Sequence, residues 1–163
     1  MPDKNSNHRA VYESAKEAAL RYLSYRMRTR GETEKYLIQK GYPDDIIQET
    51  IETLSEYRYI DDLKFAEAYI ESCLKTNRWG MKKIKYTLTL KGVSPEIIEE
   101  ASENAEYRSD GVITELIIKK TGGFGPAGLD AKEKRKLFSY LSGRGFSYGE
   151  IDGAYSAYLE AAQ

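Results

Sequence analysis

Apolar positions recur at three- and four-residue spacing over most of the chain, without the strict alternation of a half-buried strand. The pattern falls into blocks with readable starts and stops. Ser14-Ala15-Lys16-Glu17 has the spacing of a capping box, in which each side chain accepts the other residue's backbone N–H. Ala15, Ala18, Ala19, Tyr22, Leu23 and Met27 follow as an apolar stripe. Thr29 and Glu32 make a second box, opening a helix through Tyr36, Leu37 and Lys40. Gly41 stops it, glycine being favoured where the chain turns left-handed past a helix end. Pro43 starts a third helix, where its missing N–H is no loss, with Ile46, Ile47, Thr50, Ile51 and Leu54 as its stripe.

The stretch from Tyr59 to Tyr69 joins this block to the next. Asp61 or Asp62 can cap the helix that follows, because a short carboxylate accepts the N–H groups of a first turn. Phe65, Ala66, Tyr69, Ile70, Cys73 and Leu74 give that helix a stripe running to about Lys75. A helix from Gly80 to Lys91 comes next, and Ser94-Pro95 starts the one after it. Three more follow: Val112–Lys120, Asp130–Leu141 and Ser147 to about Leu159, the last two opening on capping-box spacings at Asp130–Glu133 and Ser147–Glu150.

Lys40-Gly41-Tyr42, Lys91-Gly92-Val93 and Arg144-Gly145-Phe146 align. A leucine precedes each glycine at the same distance (Leu37, Leu88, Leu141), and an isoleucine follows each at the same distance (Ile47, Ile98, Ile151). A recurrence at roughly 50 residues is the mark of a repeat architecture. The expected fold is all-α, with three tandem three-helix repeats stacked into an elongated, curved array. Residues 1–13 are read as a disordered tail, and 14–58, 59–107 and 108–163 as the repeats. The last repeat carries a flexible Gly-rich loop at 121–129, which lacks the Gly-Lys-Ser/Thr of a phosphate-binding loop.

Composition narrows the class. The 163 residues include 25 Lys and Arg against 26 Asp and Glu, so the chain is not a uniformly basic nucleic-acid binder. The polar start and the lack of a long apolar run argue against a leader or a membrane span, and a single cysteine suits a reducing compartment; the cytoplasm is expected. The charges are ordered along the repeats. No acidic residue occurs from Ala18 to Gly31, where Arg21, Arg26, Arg28 and Arg30 lie, nor from Ser72 to Pro95, where Lys75, Arg78, Lys82, Lys83, Lys85 and Lys91 lie. Lys119, Lys120, Lys132, Lys134, Arg135 and Lys136 form a third basic group, diluted by Asp130 and Glu133. The third helices are acidic. Recurrence in register argues against incidental surface charge, and suits an extended partner that carries both charge and nucleic acid.

Candidate chemistry is thin. His8, the only histidine, lies in the expected tail, so a His-based triad or metal site is not expected. Cys73 falls on an apolar stripe and reads as buried. Asp61-Asp62 and Asp44-Asp45 stand at helix starts, where capping accounts for them without catalysis. Tyr36, Tyr59, Tyr69, Tyr86, Tyr140, Tyr155 and Tyr158 are expected at packing positions. Trp79 reads equally as a packing anchor or an exposed contact. No enzyme and no cofactor are expected.

Tyr59-Ile60-Asp61-Asp62, Phe65-Ala66 and Tyr69, followed by Gly80, Ile84, Leu88 and Lys91-Gly92-Val93, resemble the RecX family of regulatory proteins. Leu37 with Lys40-Gly41-Tyr42 and the third copy extend the resemblance over about residues 14–160. It implies a monomeric modulator, usually an inhibitor, of the RecA recombinase and its ATPase in DNA repair, recombination and the SOS response. The protein would lie in the groove of the RecA–DNA filament, with DNA bound weakly or through the filament. The family often has Arg at the positions of Glu71 and Cys73, Pro at Met81 and Glu at Thr87, so the middle repeat here is less basic on its first helix. The expected contact residues are Arg26, Arg28, Arg30, Lys82, Lys83 and Lys85. A direct DNA-binding helical module and a helical scaffold for another protein are the alternative readings.

Overall fold

The computed structural model describes residues 4–106, 108–125 and 127–162, apart from the Lys4 and Asn77 side chains. Residues 1–3 of the expected tail and Pro126 of the Gly-rich stretch lie outside them. Among the described residues there are nine α-helices and no strand: α1 (Lys4–Tyr25), α2 (Arg30–Gln39), α3 (Asp44–Glu56), α4 (Asp62–Ser72), α5 (Met81–Leu90), α6 (Pro95–Asn104), α7 (Asp110–Thr121), α8 (Ala131–Gly143) and α9 (Tyr148–Ala161). They make three three-helix sets, as the apolar pattern predicts. By packing the chain divides into two compact units. The first holds residues up to Glu67 with Leu88–Ala101, and the second holds Ala68–Thr87 with the residues from Ser102 on.

In the first unit Ala15, Ala19, Leu37, Ile46, Ile47, Ile51, Leu54 and Ile60 form a buried cluster. The Thr29–Glu32 capping box is present in full. The expected start of α1 is wrong. Ser14 is no N-cap: the helix begins at Lys4, and the Ser14 hydroxyl lies 2.9 Å from the Tyr42 hydroxyl. Residues 4–13, expected as a tail, are helical because they have α3 to pack on. Val11 and Tyr12 pack against the core, Tyr12 donates to Thr53 Oγ1 at 3.0 Å, and His8 lies 3.7 Å from Asp45 and 3.5 Å from Glu49. Met27, expected on the stripe, lies past the end of α1 and is 44% exposed.

In the second unit Ile113, Leu116, Ile117, Leu137, Leu141, Phe146, Ile151, Ala154 and Tyr155 form the buried cluster. Asp130–Glu133 and Ser147–Glu150 are complete capping boxes. The Gly-rich stretch is more constrained than a flexible loop. Tyr158 Oη accepts from the Phe124 N–H at 3.2 Å and Tyr155 Oη from the Leu129 N–H at 3.0 Å, tying it to α9. Past Ser72 the helix widens into a π-helical turn, Cys73–Asn77, with Cys73 buried. Arg78 then turns left-handed (φ 53°) and pairs with Glu115 at 2.8 Å. Of the tyrosines expected at packing positions, Tyr155 is buried, whereas Tyr59 and Tyr86 are exposed.

Both units contain the same joint. Gly92 and Gly145 take left-handed conformations (φ 79° and 93°) and close their helices with paired bonds. Val93 N–H and Phe146 N–H reach back to the Leu88 and Leu141 carbonyls; Gly92 N–H and Gly145 N–H reach Thr89 and Ser142. That explains the conserved spacing from each leucine to its glycine within the chain. The carbonyl just before each glycine points outward and is met by the N-cap of another helix. In the first unit the Thr29 hydroxyl, at the N-cap of α2, donates to the Lys91 carbonyl at 2.5 Å. In the second, the Gly80 N–H, just before α5, donates to the Arg144 carbonyl at 2.9 Å, and the Lys82 N–H donates to the Gly145 carbonyl at 3.2 Å. Backbone meets backbone at both places. A Cβ on Gly31 would come within 2.9 Å of Gly92 Cα, and one on Gly80 within 2.2 Å of the Gly145 carbonyl carbon.

Gly80→Ala is therefore expected to destabilise the protein by about 3 kcal/mol or more, since neither side can yield a side chain. Gly153→Ala, inside α9 where an added Cβ meets nothing within 4 Å, is expected to add roughly 0.5–1 kcal/mol. Urea denaturation of the two variants measures both. Equal stabilities would remove the joint from this account.

Candidate partner-binding surface

The six cations expected to make contact divide three and three between the units. In the first unit Arg26, Arg28 and Arg30 lie where α1 gives way to α2. Arg26 is exposed and donates to Glu32 Oε1 at 3.0 Å and to the Met27 carbonyl at 2.9 Å. Arg28 is half-buried; its guanidinium lies 4.1 Å from the centroid of the Tyr22 ring, and its Nε is buried without a hydrogen-bond partner. Arg30 presents its backbone N–H to Asp62 Oδ1 at 2.8 Å and its guanidinium to Gln48 at 3.5 Å. The three therefore differ: Arg26 is held by a carboxylate, Arg28 by an aromatic face, and Arg30 keeps its guanidinium on a neutral amide.

In the second unit Lys82, Lys83 and Lys85 occupy the first turns of α5. Lys82 is exposed. Lys83 is half-buried, its Nζ 4.3 Å from the centroid of the Trp79 ring, so Trp79 serves as the platform for a cation. Lys85 is half-buried. A third basic group, on α8, lies in the same unit. Lys132, Arg135 and Lys136 are all exposed and spaced to share one helix face, while the neighbouring Glu133 is occupied in the capping box. Lys134 is drawn the other way, 3.9 Å from Asp152 and over the Tyr155 ring at 4.7 Å. The sequence marks this group but ranks it lower, because Asp130 and Glu133 dilute it; their use as caps becomes visible only in the fold.

The paired aspartates serve two helices. Asp61 caps its own helix, accepting the Lys64 N–H at 3.0 Å; that bond and the Arg58 guanidinium hold its carboxyl below the usual range. Asp62 accepts the Arg30 N–H at the start of α2, and burial holds its carboxyl above the usual range against that bond. Glu32 is also partly buried, which pushes its carboxyl up. Hydrogen bonds from Arg26 and the Thr29 N–H, with the charge of Lys91, outweigh burial and leave it low. Among the described residues no cluster of three His, Cys, Asp or Glu side chains could hold a metal, and no helix is long and apolar enough to cross a membrane.

The signs give a prediction. Asp61 and Glu32 stabilise the fold above the ordinary carboxylate range and lose that contribution as pH falls through their lowered folded values. Asp62 has the opposite sign: its ionised form costs stability near neutral pH, and the cost is relieved as pH falls through its raised value. Asp61→Asn should lower stability near neutral pH and converge with the wild type in acid. Asp62→Asn, which keeps an acceptor without the buried charge, should not lower it. Thermal unfolding across the acid range measures both.

Comparison with known proteins gives one family. The chain matches three domain profiles in order: RecX, first three-helix domain, over residues 15–54; second, over 61–101; third, over 112–154. It is 36% identical to the regulatory protein RecX of Clostridium acetobutylicum over 144 residues, 86% of this chain and 66% of that one. It is 37% identical to the regulatory protein RecX of Bacillus licheniformis over 142 residues, 83% and 52% of the two chains. The chain thus spans between about half and two thirds of the length of these relatives. The crystal structure of RecX from Lactobacillus salivarius is similar with a TM-score of 0.82 at 28% identity, covering 93% of this chain and 98% of that one.

Proposed function

Since the chain belongs to the RecX family of regulatory proteins, we propose that it binds the RecA recombinase filament and restrains its recombinase and ATPase activities in DNA repair and recombination. The observation that carries this reading is the ordered match of three three-helix domains along the chain. The work is steric and electrostatic rather than catalytic. The protein acts as a monomer in the cytoplasm, and its basic segments meet acidic protein surface or phosphates of the filament. Arg30, Lys82 and Lys85 present cationic groups for this, while Arg26 is matched to Glu32. Arg28 and Lys83 carry theirs on aromatic rings, where the cation keeps its charge while its side chain loses mobility.

A second reading, direct DNA binding, draws support from the exposed α8 face with Lys132, Arg135 and Lys136. Unpaired phosphates along a strand would meet such a row.

Titrating the protein into RecA on single-stranded DNA should lower ATP turnover. Lys82→Glu with Lys85→Glu should weaken that effect without unfolding the chain, and added salt should weaken it in the wild type. Inhibition unchanged by the charge reversals would remove Lys82 and Lys85 from the contact. Tighter binding to bare DNA than to the filament, lost on Lys132→Glu with Lys136→Glu, would favour the second reading.

A further inference from the structure

A cleft of about 510 Å³ lies wholly within the first unit, between α1, the outer side of α2, and the Leu90–Gly92 turn. At its wall the Tyr22 and Tyr36 rings stack in parallel, centroids 4.1 Å apart. The guanidinium of Arg28 lies 4.1 Å from the Tyr22 centroid, and Lys40 Nζ lies 5.6 Å from that of Tyr36. The ring faces are thus taken up by one another and by cations, and the cleft itself is lined by Lys35 and Lys91 beside the rings. Its one carboxylate, Glu32, is already matched by Arg26 at 3.0 Å and Lys91 at 3.4 Å. Lys35 lines the cleft and is exposed. At the rim, Leu90 is 69% exposed and offers an aliphatic surface beside the charge.

We propose that this cleft docks an acidic segment of a protein partner, with a carboxylate on Lys35 and an adjacent apolar side chain against Leu90. Charge complementarity favours this occupant: of the two lysines in the lining, Lys91 is matched to Glu32, which Arg26 also pairs, and Lys35 is left as the unbalanced charge. Nucleic acid fits less well, because sequence-tolerant strand binding uses open aromatic faces for base stacking, and those faces are occupied here. A peptide needs no ring face. It uses the mixture of cation and exposed aliphatic surface that the rim presents. The inference rests on the proposed reading, under which the partner is the recombinase of the filament.

The test uses the full chain, fluorescently labelled, with RecA filaments assembled on single-stranded DNA and, separately, with the bare DNA. The variant is Lys35→Glu with Leu90→Ser; both side chains lie at the surface, and circular dichroism and thermal unfolding verify the fold. Lys35→Ala alone replaces it if the double variant unfolds. The expected result is a filament affinity reduced by roughly tenfold or more, with bare-DNA affinity nearly unchanged. Filament affinity equal to that of the wild type would overturn the proposal and leave the functional reading intact. An equal loss on bare DNA would overturn it in favour of nucleic acid. Failure of the wild type itself to bind the filament would overturn the functional reading and the proposal with it.

Discussion

The structure depends on one small contact made twice. A helix that ends leaves its last carbonyls without partners. The left-handed glycines Gly92 and Gly145 turn two of them inward, onto the backbone that follows, and leave the Lys91 and Arg144 carbonyls facing out. Donors at the N-cap of another helix meet those two: the Thr29 side-chain hydroxyl in one unit, the Gly80 backbone N–H in the other. A helix end and a helix start thus satisfy each other. The bond requires backbones to approach so closely that Gly31 and Gly80 have no room for a Cβ. Short three-helix sets have little apolar surface of their own, and these joints add close backbone contact between a helix end and a helix start.

The joint also organises charge. The close backbone approach at the glycines leaves the charged side chains around it. Arg30 and Lys91 flank one joint; Lys82, Lys83 and Arg144 flank the other. The acidic residues beside the first joint are already assigned. Glu32 is part of the capping box of α2, and Asp62 holds the first N–H of the same helix.

What the sequence makes legible is local. Capping boxes at Thr29, Asp130 and Ser147 and the three glycine stops use residues within a few positions of one another, and each appears in the structure as expected. The box at Ser14 has the same spacing and is no helix start. Helical periodicity cannot reveal that α3 lies ready to bury Val11 and Tyr12, and that packing extends α1 back to Lys4. The assignment of Asp62 to α2 fails to show for the same reason: its partner, Arg30, is far away in the chain. The basic segments are legible as composition. Which cations are stacked, paired or presented is not, because Tyr22, Trp79 and Glu32 decide it through contacts that no spacing rule encodes.

Those contacts bear on how such a surface can bind. A long cationic side chain that is free in solution loses rotamer freedom when a partner fixes it, and that loss subtracts from affinity. Arg28 over Tyr22, Lys83 over Trp79 and Arg144, which donates to the Tyr140 hydroxyl at 2.9 Å, have lost much of that freedom in the folded chain already. A ring face attracts the cation without cancelling its charge, whereas a carboxylate does cancel it. Aromatic platforms therefore present positive charge that is both fixed and available. Tyr22, Trp79 and Tyr140 thus have a use beyond packing, each holding a cation in place.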